Sequence, residues 1–155
     1  MIALIIEDDD LKMDRLRGFL ANEAPAVQIE VARSYKSGLL ALVGLQPELV
    51  LLDMTLPSFD IQPGSDGGRP LNLGGKDLLR QIKRRDMRCC TIVVTGFDTF
   101  GSGATPVTLA QLDGELMREF SEIYLGSVYF NAATEDWRHR LRELVRTVPQ
   151  LEAGA

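Results

Sequence analysis

The chain reads as an α/β protein built on a five-stranded parallel sheet, doubly wound with helices on both faces. Three observations predict this. Strand-like and helix-like stretches alternate along the sequence, the pattern left by strand–helix–strand crossovers. Two strand candidates, residues 1–6 and 49–52, are apolar almost throughout, as a strand covered on both faces must be. Length and composition fit one ordinary globular domain: 155 residues, 45% apolar and 25% charged, enough to bury a core without staples.

The elements follow in order. Residues 1–7 form the first strand and run straight into Glu7-Asp8-Asp9-Asp10. Leu11, Leu16, Phe19 and Leu20 then share one face of a helix that ends at residues 22–25. Residues 27–31 alternate as a second, more exposed strand. Ser34 is placed to cap a helix carrying Leu39, Leu40 and Val43, which ends near Gly44. The third strand, 49–53, closes on Asp53 and enters the Pro-containing run Met54-Thr55-Leu56-Pro57.

Residues 58–75 break the rhythm with five glycines, two prolines and no helical period. Little apolar surface is available there to offset ordering entropy, so a mobile loop over or beside Asp53 is expected, with Phe59, Ile61, Leu71 and Leu73 able to anchor it locally or on a partner. A third helix carries Leu78, Leu79 and Ile82, and a fourth strand runs from about residue 91 to Thr95. Residues 96–106 are again Gly-rich. A fourth helix over about 107–120 turns Leu109, Leu112, Leu116 and Phe120 inward, and 123–130 holds the fifth strand. The last helix carries Trp137, Leu141, Leu144, Val145 and Val148 on one stripe. One domain therefore spans 1–149, with 150–155 as a C-terminal tail.

Several functions are disfavoured. A net charge of −5 and no basic run beyond Lys83-Arg84-Arg85, a solvated helix face, argue against nucleic acid as a partner. No segment nears the ~18 apolar residues that a membrane span needs, and a strand leading into four acids is no signal peptide. Cys89 and Cys90 are neighbours that would point to opposite faces of a strand, so they read as small packing residues in a reducing cytoplasm. His139 lies off the Trp137–Leu141 stripe and reads as exposed. The run ending in Gly75-Lys76 is not a phosphate-binding P-loop, since Pro70 stands where glycine is required and Asp77 where a hydroxyl is required.

What remains is chemical. In an open α/β sheet, ligands bind at the carboxyl ends of the strands. Here two strands end in acids, Glu7-Asp8 and Asp53, and a third ends in the hydroxyl of Thr95. Carboxylates so placed repel one another, and a hard divalent cation relieves that repulsion. The pattern points to a divalent-metal and phosphoryl site.

The motifs Ile5-Ile6-Glu7-Asp8-Asp9, Pro47-Glu48-Leu49-Val50-Leu51-Leu52-Asp53-Met54-Thr55-Leu56-Pro57 and Ile92-Val93-Val94-Thr95-Gly96 stand in the order and at the spacing of the receiver domain of two-component response regulators. From residue 1 to about 97 the chain resembles that family. The resemblance implies a flavodoxin-like fold with strand order 2-1-3-4-5. It implies Mg²⁺ held by Asp8, Asp53 and the Thr55 carbonyl, with Glu7 acting through water. Asp53 would accept a phosphoryl group, and Thr95 would be the switch hydroxyl beside it. Hydrolysis would reset this phosphoprotein, a timed switch in phosphorelay signal transduction rather than a metabolic enzyme. Implied partners are a sensor histidine kinase or phosphotransfer protein, a downstream protein, and a second copy through the fourth-helix-to-fifth-helix face. With no DNA-binding region after residue 149, the expectation is a stand-alone receiver read out by protein contacts.

Two departures qualify the resemblance. The family's lysine at the end of the fifth strand is missing, because Tyr129-Phe130-Asn131-Ala132-Ala133-Thr134 contains no cation. Its loss removes a charge-assisted contact worth ~1.5–3 kcal/mol, so phosphorylation is expected to shift the conformation weakly. The connection after the third strand is also longer than the family's by about a dozen residues. Two alternatives stay open. One is a degenerate receiver, a binding module that works without phosphorylation. The other is a small aspartyl-nucleophile phosphatase, although Thr55 stands where such enzymes carry a second acid.

Overall fold

The computed structural model describes residues 1–64, 66–68, 71, 73–101 and 106–149. The tail at 150–155 and parts of the two Gly-rich segments lie outside the described residues. The elements in order are β1 (Ile2–Ile6), α1 (Asp10–Glu23), β2 (Gln28–Ala32), α2 (Tyr35–Leu45), β3 (Leu49–Leu52), α3 (Gly74–Arg84), β4 (Cys90–Thr95), β5 (Thr99–Phe100), β6 (Val107–Thr108), α4 (Leu109–Glu119), β7 (Tyr124–Tyr129) and α5 (Asp136–Val145). Five strands form a parallel sheet in the order β2-β1-β3-β4-β7. This is the expected doubly wound flavodoxin-like architecture, with β7 in the fifth-strand place.

Strand alternation divides the core in two. Ala3, Ile5, Leu49, Leu51, Ile92 and Val94 face α1 and α5, while Leu4, Ile6, Val50, Leu52 and Val93 face α2, α3 and α4. Both sides are buried, so these strands show no polar alternation. Trp137 anchors the first side against Phe19 and Phe130, at ring separations of 5.9 and 5.0 Å. Ser34 caps α2 as expected, in a reciprocal pair with Ser37.

Four expectations need correction. Leu11 is 52% exposed, and Lys12 and Met13 instead join Leu16, Phe19 and Leu20 on the inner face of α1. Leu11 stands five residues before Leu16, whereas Lys12 stands four before it, and helical neighbours on one face are three or four apart. On α2, Leu40 and Val43 are exposed and Gly38 and Leu42 are buried, because Gly38 lets the helix lie close to Ile6. In the second Gly-rich segment, β5 and β6 pair as an antiparallel ribbon, and Thr108 caps α4. The fourth helix accordingly starts at Leu109.

The fourth correction concerns the 58–75 segment, which is not structureless where it is described. Leu56 and Leu71 exchange both backbone hydrogen bonds, at 3.1 and 2.8 Å, and Phe59 N–H donates to Gly67 O at 3.1 Å. Tyr35 and Lys36 N–H groups donate to Pro57 and Ser58 carbonyls, and Ser37 Oγ donates to Asp60 Oδ1 at 2.7 Å. The segment is thus an arm tied to the N-terminus of α2. Among the described residues, no helix is long and apolar enough to cross a membrane.

Candidate functional site

Parallel strands bring their carboxyl ends to one edge, and the ladder continues one residue past each strand there. Glu7 N–H donates to Ala32 O at 2.9 Å and Asp53 N–H to Ile6 O at 3.0 Å. The ends of β1 and β3 therefore stand side by side. Continuing the alternation, Glu7 and Asp53 take the parity of Ile5 and Leu51 and point toward α1 and α5. The structure brings together Glu7, Asp8 and Asp53, with one carboxylate oxygen from each lying within 4.8 Å of the others. Glu7 and Asp53 are buried and Asp8 is open to solvent.

Asp9 and Asp10 serve the helix instead. Asp9 caps α1, its side chain accepting from Lys12 N–H at 2.9 Å, and Asp10 lies in the first turn. Asp9 N–H in turn donates to Glu7 Oε1 at 3.0 Å.

The group that sequence reasoning missed is Lys12. Its side chain runs back along α1 to the strand ends, where Nζ lies 2.5 Å from Glu7 Oε2 and 3.4 Å from Asp53 Oδ1. It also donates to Val94 O at 2.7 Å, and stands 6.0 Å from the centre of the Phe130 ring. Among the described residues Glu7 Oε2 has no regular hydrogen-bond partner, and Lys12 Nζ is its ion-pair contact. Asp53 Oδ1 also accepts from Met54 N–H at 2.8 Å. The fifth-strand segment carries no cation, as expected, but the site has one from elsewhere. It comes from α1. A signal existed in the sequence, since positions 12, 16, 19 and 20 share a helical face whose other members are apolar.

Burial sets the acidity of this cluster. It pushes the Glu7 carboxyl from 4.5 up to about 8; the Lys12 charge offsets part of the rise, and the Asp53 charge adds to it. Asp53 is raised as well, chiefly by burial, with Lys12 again opposing. Thr95 is buried at the end of β4, next to β3, where its hydroxyl accepts from Phe97 N–H at 3.2 Å. Thr55 lies two residues beyond Asp53 in the turn and is half-buried. Cys89 and Cys90 are both unpaired, and burial pushes the Cys89 thiol up to about 11, as suits a packing residue. His139 is exposed.

No family model matches the chain. A protein of Sinorhizobium fredii described as uncharacterized, y4jR, is 30% identical over 145 residues, covering 92% of this chain and 95% of that protein. The solved response regulator receiver domain protein (CheY-like) of Methanospirillum hungatei superposes with a TM-score of 0.62 at 19% identity, covering 99% of this chain and 98% of that one. That likeness gives the fold. The Detocs response regulatory protein DtcB of Enterobacter cloacae is 26% identical over 151 residues, with 96% of this chain and 99% of that protein covered. The chain belongs to the response-regulator receiver family.

In this receiver domain the acidic strand ends and the hydroxyl strand end fall where the motifs predict. The donor set also suits the metal implied for the family. All three side chains offer hard oxygen ligands, and exposed Asp8 leaves room for the waters that Mg²⁺ retains. Lys12 neutralises the buried half of the cluster, which leaves Asp8 as the open face for a cation.

Proposed function

We propose that this receiver domain takes a phosphoryl group on Asp53 in a Mg²⁺-dependent reaction and signals through protein contacts. The observation that carries the reading is the Asp53 carboxylate itself. It sits at the end of β3 with Oδ1 fixed by Met54 N–H, and it faces a cation and two further acids. A nucleophile held in one orientation by its own turn needs little reorganisation to attack. A carboxylate oxygen of Asp53 forms the new bond to phosphorus, and the donor oxygen departs with the electron pair of the broken bond. With acetyl phosphate as donor, the products are the aspartyl phosphate and acetate.

Asp8 and Asp53 would hold the ion directly, with the Thr55 carbonyl as a further ligand and Glu7 behind them. Bound there, Mg²⁺ supplies neutralisation of charge on the transferring oxygens. Thr95 would leave its turn contact with Phe97 to donate to a phosphoryl oxygen. A histidine kinase or phosphotransfer protein is the natural donor and a second protein the reader, in a reducing cytoplasm. Intact-mass analysis after incubation with acetyl phosphate and Mg²⁺ tests the proposal. A gain of one phosphoryl group is expected in the wild type and none in Asp53→Asn. Absence of that gain in the wild type would refute it.

One observation favours a second reading, a binding module that works unphosphorylated. The Lys12 contacts with Glu7 and Asp53 already compensate buried charge without a metal. On that reading Asp53→Asn keeps full partner binding.

A further inference from the structure

Lys12 is a cation in an expensive place. It belongs to the first turn of α1, where the helix dipole disfavours positive charge. Among the described residues it is also the only Lys or Arg that is buried. A long, flexible, strongly hydrated side chain gains little by burial unless an anion awaits it. Here it meets two, and both contacts are side chain to side chain at the strand ends rather than along its own helix.

The contact with Asp53 is the looser one. Nζ is 3.4 Å from Asp53 Oδ1 but 2.5 Å from Glu7 Oε2. The charge balance changes once Asp53 carries a phosphoryl group. Its carboxylate becomes an uncharged acyl group, and the negative charge moves outward onto the phosphoryl oxygens.

We infer that Lys12 is the phosphoryl-binding cation of this domain, delivered from the first turn of α1. This rests on Asp53 being the phosphoacceptor. The ammonium exchanges part of its contact with Glu7 for a charge-assisted bond to a phosphoryl oxygen, and undergoes no covalent change itself. Because the same ammonium is bonded to Val94 O and lies against Phe130, which packs on Trp137, the modification is read by α1 and by the Phe130–Trp137 pair.

Beryllofluoride, a tetrahedral phosphoryl analogue that coordinates a carboxylate oxygen, separates this from a purely structural ion pair. The wild type, Lys12→Met and Lys12→Arg are titrated with Mg²⁺ alone and then with beryllofluoride at saturating Mg²⁺. Trp137 fluorescence and melting temperature are the readouts, and each protein is checked for acyl phosphate by mass. In Lys12→Met, beryllofluoride affinity should fall about tenfold or more, the scale of one charge-assisted hydrogen bond. Affinity for Mg²⁺ alone should hold or rise, because a competing charge has gone. Lys12→Arg should restore part of the beryllofluoride affinity. A merely structural lysine would weaken both ligands together, and an unchanged beryllofluoride affinity in Lys12→Met would overturn the inference while leaving the phosphoacceptor intact. No mass gain and no beryllofluoride response in the wild type would overturn the phosphoacceptor reading and this inference with it. If Lys12→Met alone does not fold, Lys12→Met with Glu7→Gln poses the beryllofluoride test with one buried carboxylate fewer, compared against Glu7→Gln alone.

Discussion

Glu7 and Asp53 are acids held where water is scarce, and this gives the site a pH dependence of definite sign. Glu7 ordinarily titrates at 4.5 and is pushed up to about 8 in the fold. The folded state therefore binds this proton more tightly than the unfolded chain does. The stability linked to it is fully present below 4.5 and is lost as pH rises through about 8. Asp53 is shifted in the same direction. The metal-free protein should show this falling component between those limits, and Glu7→Gln should remove much of it when melting temperature is followed against pH. A divalent ion opposes the same repulsion. At a hundredfold excess over its dissociation constant, Mg²⁺ should stabilise the wild type by ~2.7 kcal/mol and Asp53→Asn by much less. Equal stabilisation of the two proteins would place the ion somewhere other than these carboxylates.

Elements, rather than single residues, hold Asp53 at the edge of the sheet. The turn after β3 is clamped from below by the start of α3, where Gly75 N–H donates to Met54 O at 3.0 Å. A Cβ on Gly75 would lie 2.6 Å from Asp53 O and 2.9 Å from Met54 Cα, both backbone atoms that cannot swing aside. Gly75→Ala should thus cost ~1–3 kcal/mol, measured by denaturant unfolding, and should slow acyl-phosphate formation by displacing Asp53. The arm after that turn is fastened by the Leu56–Leu71 bridge and by the Phe59–Gly67 bond. Hydrogen exchange should accordingly be slow at the Leu71 and Phe59 amides. Exchange there as fast as in a free peptide would restore the picture of a wholly mobile loop.

At the scale of the molecule, the sheet separates two cores that do not share side chains. Leu116 of α4 packs on one side with Val93, and Leu141 of α5 on the other with Val94. Each is fully buried, so truncation to alanine should cost ~2–5 kcal/mol. With the sheet between them the two losses should add, and the double variant should unfold at the summed cost. A shortfall well beyond measurement error would reveal coupling through the strands. The site draws on this division, because Lys12, Phe130 and Trp137 all belong to the α1–α5 side. Changes at Asp53 therefore have a packed route to α5 on that side.

The sequence by itself determined the sheet, its strand ends and the acids placed there. Unbroken apolar runs such as Leu49–Leu52 admit only a strand covered on both faces, and the acids that follow such runs can only lie at its rim. Helix faces with large apolar residues at helical spacing, such as Leu78, Leu79 and Ile82, were equally legible. Tertiary structure decided what local pattern leaves open. Leu11 and Lys12 are one residue apart, and only packing against the β1 and β3 ends shows that the charged one turns inward. The arm over 58–75 and the β5–β6 ribbon are held by pairings between residues many positions apart, which periodicity in a short window cannot see. The same holds for the cation of the site, twelve residues into the chain and absent from the strand where the family's pattern places it. Its role comes from three contacts, with Glu7, Asp53 and Val94, that exist only once three strands are side by side.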